Sequence, residues 1–345
     1  MINRMHKEYI FEEERPFASC HASTIVTLED GDLLAAWFGG TKEGNLDVDI
    51  WLSRRSGGKW DKPIRVAGDP SIPYWNPVLH AYKDKVLLYF KVGHTIPEWY
   101  TLVMSSENGG RTWSEPRELV PGDIGGRGPV KNKLIVLGNG TWVAPASIEH
   151  DLWDAFVDLS SDCGMTWTRS GLVPLRRNAN IHSPGDQTHS LLPQEAGFRG
   201  KGIIQPALWE STPGQVHMLL RSTDGWIYRS DSIDSGMTWS DASPTSLPNN
   251  NSGIDVVRMD NGILALVYNP VQGDWAARTP LVIRFSRDNG DSWSDEIVLE
   301  HEPGEYSYPA IIAEGSALYV TYTWKRERIA YWEILVNEGL KANEI

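Results

Sequence analysis

The sequence predicts an all-β fold, a six-bladed β-propeller. Three observations predict it: an eight-residue turn motif that recurs along the chain, a near-constant spacing between its copies, and strand–turn–strand patterns in the intervals. The motif is clearest in SSDCGMTW, Ser160 to Trp167. Asp162 can accept hydrogen bonds from backbone N–H groups ahead of it, Gly164 suits a positive φ, and Trp167 supplies an apolar wedge beneath the turn. SENGGRTW (Ser106–Trp113), SIDSGMTW (Ser232–Trp239) and SRDNGDSW (Ser286–Trp293) repeat the pattern. SRRSGGKW (Ser53–Trp60) is a weaker copy in which Arg55 replaces the acid. These residues are expected to fold turns and to take no part in chemistry.

The motif tryptophans set the repeat. Trp60 to Trp113 is 53 residues, Trp113 to Trp167 is 54, and Trp239 to Trp293 is 54. Trp167 to Trp239 is 72, one repeat with an insertion of 18, which is too little for a further blade. Within the repeats, STIVTLEDGDLLAAWF, KLIVLGNGTWVAPASI and DVVRMDNGILALVYN carry apolar runs broken at DG and NG, the residues of tight hairpin turns. Four strands per repeat make a propeller blade. The last repeat, within residues 304–336, holds three strands, and the N-terminal stretch KEYIFEE offers a spare one at residues 8–13 with Lys7. If that strand completes the last blade, the ring closes without an open edge and the count is six.

Composition fits one such domain over residues 1–345. Two cysteines, Cys20 and Cys163, argue against a disulfide scaffold. The N-terminus lacks the apolar run of a signal peptide and no stretch is long enough to span a membrane, so a cytoplasmic protein is expected, or a secreted one whose signal has been removed. A net charge of −13 argues against a nucleic-acid surface but leaves room for a local cationic pocket. No Cys/His or Asp spacing suits zinc or calcium, and no cofactor is expected.

Ligands of a propeller bind where the first strands begin around the axis. Aligned by their following turns, those strands begin at CHAST, YWNPVLH, GRGPVKNK, IIQPALWE, NNNSGID and EYSYPA. Each carries polar residues where a packing strand would be apolar: His21, Asn76, Arg127 and Lys131, Gln205, Asn251 and Ser252, Tyr306 and Tyr308. A site is expected there. His80 and His94 are further histidine candidates, and His182 and His189 lie in the insertion.

The octet is similar to the Asp-box of the sialidase-like superfamily, and the whole chain resembles a six-bladed sialidase-type propeller. The segment CHASTIVTLEDGDLLAAWFGGTKEGNLDVDIWLSRR most resembles the BNR-repeat sialidase-family proteins of bacteria and plants. The resemblance implies a site for an acidic sugar. In true sialidases the first strand carries an arginine of a carboxylate-binding triad, and that position is His21 here. An imidazole lacks the two-pronged donor geometry of a guanidinium, so sialate hydrolysis is not expected. The same resemblance makes Tyr306 the counterpart of the catalytic tyrosine, Arg221 the second triad arginine, and Arg326 or Arg328 a further clamp. The loop GGTKEG, with Lys42 and Glu43, stands where sialidases place their acid/base aspartate, while Asp47 and Asp49 are expected to pair with neighbours.

The chain is also similar to propellers with a histidine in the funnel, which include lyases of glucuronate-containing glycans, among them rhamnosyl-glucuronate linkages, and a histidine there suits an acid or base near neutral pH. The expected function is therefore cleavage of a terminal acidic-sugar linkage in an oligosaccharide or glycoside, by uronate elimination or by glycoside hydrolysis. His21, Tyr306 and Glu43 are the catalytic candidates. Asn76, His80, Arg127, Lys131, Gln205, Arg221, Asn251, Tyr308 and Arg326 are the candidates for substrate binding. An exo-α-sialidase and a non-catalytic glycan-binding propeller are the alternatives.

Overall fold

The computed structural model describes residues 2–123, 125–177 and 200–336. Among the described residues, twenty-five strands form six antiparallel blades. Strand β1 (Ile2–Tyr9) is the outer strand of the last blade. Blade 1 holds β2 (Ser19–Thr27), β3 (Leu33–Gly40), β4 (Asp49–Ser56), β5 (Lys59–Trp60) and β6 (Ile64–Ala67). Blade 2 holds β7 (Tyr74–Tyr82), β8 (Lys85–Val92), β9 (Tyr100–Ser106) and β10 (Arg117–Glu118), and blade 3 holds β11 (Ile135–Val136), β12 (Trp142–Glu149), β13 (Leu152–Ser160) and β14 (Thr168–Arg169). Blade 4 is β15 (Lys201–Thr212), β16 (Gln215–Ser222), β17 (Trp226–Ser232) and β18 (Ser243–Pro248). Blade 5 is β19 (Asp255–Arg258), β20 (Leu264–Tyr268), β21 (Leu281–Ser286) and β22 (Ile297–Glu300). Blade 6 is β23 (Tyr306–Glu314), β24 (Ala317–Trp324) and β25 (Arg328–Val336), completed by β1. A short parallel contact, Leu152 with Lys201 and Trp153 with Gly202, joins blades 3 and 4 into one continuous sheet.

The ring closes as expected, with a shifted register. Pairing runs from Ile2 opposite Val336 to Tyr9 opposite Ala330, and the Ile10 N–H adds a bond to the Ile329 carbonyl at 3.0 Å. The closing strand thus begins six residues before the expected stretch, and Phe11 leaves it to pack against Phe17 and Trp37. Aliphatic and aromatic side chains fill the seams between blades. Leu34, Ala36 and Ile50 of blade 1, for example, share a cluster with Leu79, Leu88 and Phe90 of blade 2.

The octets form the turns after the third strands of blades 1 to 5. Within a blade the first and third strands run in the same direction, so these turns lie at the end of the axis opposite to where the first strands begin. In the blade 3 turn, Asp162 Oδ1 accepts the Thr166 N–H at 2.9 Å and the Ser160 hydroxyl at 2.7 Å, and Ser160 Oγ accepts the Gly164 N–H at 2.8 Å. Gly164 has φ +82°, and a side chain there would meet the Trp142 ring at 3.0 Å, so both backbone and space demand glycine. The turns also bind neighbouring blades together: Arg54 of blade 1 donates to the Gly109 carbonyl of the blade 2 turn, and Trp209 of blade 4 donates to Asn289 of the blade 5 turn.

Two predictions follow from this architecture. Deleting residues 2–9 leaves β25 as an open edge, so the truncated protein is expected to show a lower Tm and concentration-dependent association, read by thermal denaturation and light scattering. An unchanged Tm would overturn this role for β1. Hydrogen bonds from the Thr166 hydroxyl and N–H and from Ser160 hold the Asp162 carboxyl down at about 2 against a usual 3.8. A depressed carboxylate contributes stability above its unfolded pKa and loses it as pH falls through its folded one. The Tm gap between wild type and Asp162→Ala is therefore expected to be full at neutral pH and to close between pH 3.8 and about 2. A gap independent of pH would refute it.

Candidate functional site

The first strands do not run straight into the axis. In four blades the pairing register breaks near the start of the strand, between His21 and Thr24, Trp75 and Val78, Ile204 and Ala207, and Ser307 and Ala310. At each break one non-glycine residue takes a left-handed backbone: Ala22 (φ 56°), Asn76 (φ 33°), Gln205 (φ 54°) and Tyr308 (φ 53°). In three of the four the next residue is proline, Pro77, Pro206 or Pro309, which has no N–H to give to a ladder. A bulge of this kind re-aims side chains. Asn251, at the start of blade 5, is also left-handed (φ 57°).

Arg221, on β16, is the hub of the resulting cluster. It is buried. Its Nε and Nη2 reach Asn251 Oδ1 at 3.0 and 2.9 Å, and Nη2 also donates to the Asn251 carbonyl. Its Nη1 donates to Gln205 Oε1 at 3.2 Å and to the Tyr308 hydroxyl at 2.7 Å. The Tyr308 ring is surrounded by cations: Arg278, Arg221 and Lys131 lie 5.6, 5.7 and 5.9 Å from its centroid. The His21 ring packs on it at 4.2 Å between centroids. His21 Nδ1 lies 2.8 Å from Thr323 Oγ1, which also accepts the Ala22 N–H at 3.2 Å. Burial lowers the His21 pKa well below its usual 6.5, and Arg326, Arg278, Lys131 and Arg221 lower it further, so the imidazole is neutral.

A second layer fixes these groups. Glu305 Oε1 accepts from Arg278 Nη1 at 2.6 Å, Arg326 Nε at 2.8 Å and the Ser307 hydroxyl at 2.8 Å. Burial pushes the Glu305 carboxyl up, but the two arginines and Ser307 outweigh it and hold the group ionised. Arg326 also reaches Glu43 at 2.6 Å, which brings the GGTKEG loop to the rim. Asp47 closes that loop by accepting the Thr41 N–H at 2.9 Å. Lys131 Nζ donates to Asn132 Oδ1, the Ile254 carbonyl and the Pro309 carbonyl, and burial pushes its pKa down to about 7. Glu149, at the end of β12, accepts from Ser147 Oγ at 2.8 Å and from Gln205 Nε2 at 3.2 Å. Among the described residues no cluster of His, Cys, Asp and Glu is placed to hold a metal.

The BNR repeat-like domain model matches residues 31–320. The chain belongs to the BNR repeat-like family. No curated protein matches this BNR-repeat chain. Among solved structures, the Hadza microbial sialidase Hz136 superposes with a TM-score of 0.71 at 16% identity, covering 92% of this chain and 66% of that one. Trypanosoma rangeli sialidase gives 0.72 at 16% identity, over 96% and 60%. A protein of unknown function from Dyadobacter fermentans gives 0.71 at 14% identity, over 96% and 99%. These likenesses establish a sialidase-type propeller fold. The chain spans about two thirds of the length of the two sialidases.

The BNR-repeat propeller brings together His21, Lys131, Gln205, Arg221, Asn251, Tyr308, Arg326 and Glu43 through the contacts above. Other expected residues stand apart. Tyr306 is a core residue, packed with Leu281, Ile311 and Tyr322 between blades 5 and 6. The residue that reaches Arg221 is Tyr308, because the bulge turns that side chain inward. Arg127 forms a buried ion pair with Asp158 at 2.7 Å and a second pair with Asp123 at 2.7 Å. Asn76 ties blade 2 to blade 3 through the Val130 carbonyl at 3.0 Å. His80 lies four residues further along β7, against Trp142 and beside a depression at the opposite end of the axis, where burial lowers its pKa to about 4. Arg328 pairs with Glu13 at 3.0 Å on the surface, Asp49 pairs with Arg65, and His94 is exposed. His182 and His189 lie outside the described residues.

Arg278, Glu305, Thr323 and Glu149 were not anticipated. Arg278 follows a turn rather than opening a strand, and Thr323 and Glu149 lie at the ends of second strands, so an alignment of first strands does not reach these three, whereas Glu305 opens EYSYPA and was within its reach. The placement of Arg127 has a direct test. Breaking a buried ion pair costs about 3–5 kcal/mol, so Arg127→Ala is expected to lower unfolding stability on that scale in denaturant titration. Its binding of any anionic ligand should be unchanged. Weakened binding at unchanged stability would return Arg127 to the site.

Proposed function

We propose that the protein is a glycan-active enzyme that cleaves a terminal acidic-sugar linkage where the first strands begin, and that it is not an efficient sialate hydrolase. The observation that carries this reading is the neutral His21 imidazole packed on Tyr308 amid Arg221, Arg278, Arg326 and Lys131. Cations in that number suit a carboxylate-bearing sugar. In the tautomer whose Nδ1–H donates to Thr323, His21 Nε2 has a free lone pair and can take the proton next to a uronate carboxylate. A bound carboxylate offsets the cations that depress the imidazole, so substrate itself makes the base stronger. In this reading the Tyr308 hydroxyl, which accepts from Arg221 and keeps its own proton to donate, stabilises the negative charge that develops.

Sialate hydrolysis is the second reading. It is favoured by the fold, which is similar to that of the Trypanosoma rangeli sialidase solved as a covalent intermediate with 2,3-difluorosialic acid. It is disfavoured by His21. A missing charge-assisted contact is worth roughly 1.5–3 kcal/mol, or tens- to hundreds-fold in rate.

A sialyl substrate assayed beside a rhamnosyl-glucuronide, with the ultraviolet absorbance of the eliminated double bond followed, separates the readings. Turnover of the uronate is expected, with weak or absent sialate cleavage. His21→Ala and Tyr308→Phe should each lose about 100-fold, the scale of a general base or of one transition-state hydrogen bond. Efficient sialate turnover, or full activity in His21→Ala, would overturn the proposal. Tight uronate binding without turnover would make the protein a glycan-binding propeller.

A further inference from the structure

We infer that Glu149 is the general acid of this site, the group that protonates the departing sugar oxygen. The inference rests on the function proposed above. The other carboxylates around the cluster each face a cation: Glu305 faces Arg278 and Arg326, Glu43 faces Arg326, Asp274 faces Lys201, and Asp255 faces Lys133. Such pairing keeps a carboxylate ionised and unable to donate. Glu149 is different. It is 4% exposed, and the hydrogen bonds its carboxyl receives from described residues come from two neutral groups, the Ser147 hydroxyl and the Gln205 amide. Both fall on Oε1, so a proton on Oε2 disturbs neither. Burial is the main influence and pushes this carboxyl up, against the opposing pull of Arg221, of the Ser147 and Gln205 hydrogen bonds and of Lys91. Lys91 Nζ itself is engaged elsewhere, with Thr101 Oγ1 at 2.7 Å and the Arg127 carbonyl at 2.8 Å.

Position agrees with chemistry. An unbroken chain of contacts runs from Glu149 through Gln205, Arg221 and Tyr308 to His21. Glu149 ends a strand of blade 3 and His21 begins one of blade 1, so a base and an acid enter the cluster from separate blades. In the elimination, His21 Nε2 takes the proton next to the uronate carboxylate and the carbon–carbon double bond forms. The adjacent carbon–oxygen bond breaks, and its oxygen takes the proton from Glu149 Oε2. His21 is left as imidazolium and Glu149 as carboxylate, and proton return through solvent resets both.

The test is the dependence on leaving group. Glu149→Gln keeps an acceptor at Oε1 and removes only the proton. With a uronate carrying an alkoxy leaving group its kcat/KM is expected to fall about 100-fold or more. With a para-nitrophenoxy group, which departs without protonation, the fall should be less than about 10-fold. The alkaline limb of the pH profile should disappear. Ser147→Ala keeps the acid but removes a hydrogen bond that stabilises its ionised form, so the alkaline limb should move to higher pH. Equal losses with both leaving groups, or an unmoved limb in Ser147→Ala, would overturn the inference while leaving the proposed function intact. A wild-type protein inert toward every uronate would overturn both.

Discussion

The pairing of β1 with β25 is the constraint on which the rest depends. A propeller is a chain of blades, each stable only against its neighbours. Its first and last blades would otherwise present bare faces. Here the N-terminal strand fills the outer position of blade 6, and blade 6 then packs on blade 1. That seam is where the proposed chemistry lies: His21 comes from blade 1, while Thr323 and Tyr308 come from blade 6. Closure and site are thus one event, since the His21–Thr323 contact spans almost the whole chain.

Gathering cations near the axis is costly, and the fold shows how the cost is met. Lys131 takes two backbone carbonyls and the Asn132 side chain, and Arg221 takes Asn251 by both its oxygens. Many of these acceptors are neutral. Neutral acceptors satisfy the hydrogen-bonding capacity of a buried cation without cancelling its charge, so the positive potential of Arg221 survives into the site, whereas burial brings Lys131 down to about 7 and leaves it charged only in part at neutral pH. The paired exceptions, Arg278 and Arg326 on Glu305, sit towards the rim, beside the GGTKEG loop. The chain as a whole carries −13, so this patch is a local inversion of the global field.

Much of the fold was legible because its signals are local. The octets build turns from their own side chains, and their spacing counts blades directly. The closing strand was read in the right blade but too late in the chain, because alternation along residues 2–9 is weak: Lys7 pairs with Glu300 of blade 5 while Glu8 accepts from Arg55 and Trp60 of blade 1, so charged side chains serve both faces. The site was partly legible. Polar residues at strand starts located His21, Gln205, Asn251 and Tyr308, yet the same signal included Asn76 and Arg127, which join blades. A bulge decides which neighbour points inward, and the sequence marks it only by the dipeptides Asn76-Pro77, Gln205-Pro206 and Tyr308-Pro309. Reading those pairs would have favoured Tyr308 over Tyr306. Arg278 and Glu149 carry no such mark, because their places are set by packing between blades.

The closing strand also orders events in time. Residues 2–9 leave the ribosome well before their partners, residues 328–336, which follow the strands of all the other blades. Between those two events residues 2–9 have no native strand to pair with, while blades 1 to 5 can already form in sequence. The site cannot assemble on a nascent chain, because Tyr308 and Thr323 arrive with the final blade. Until residues 328–336 emerge, β1 is therefore an unpaired strand that a chaperone could cover.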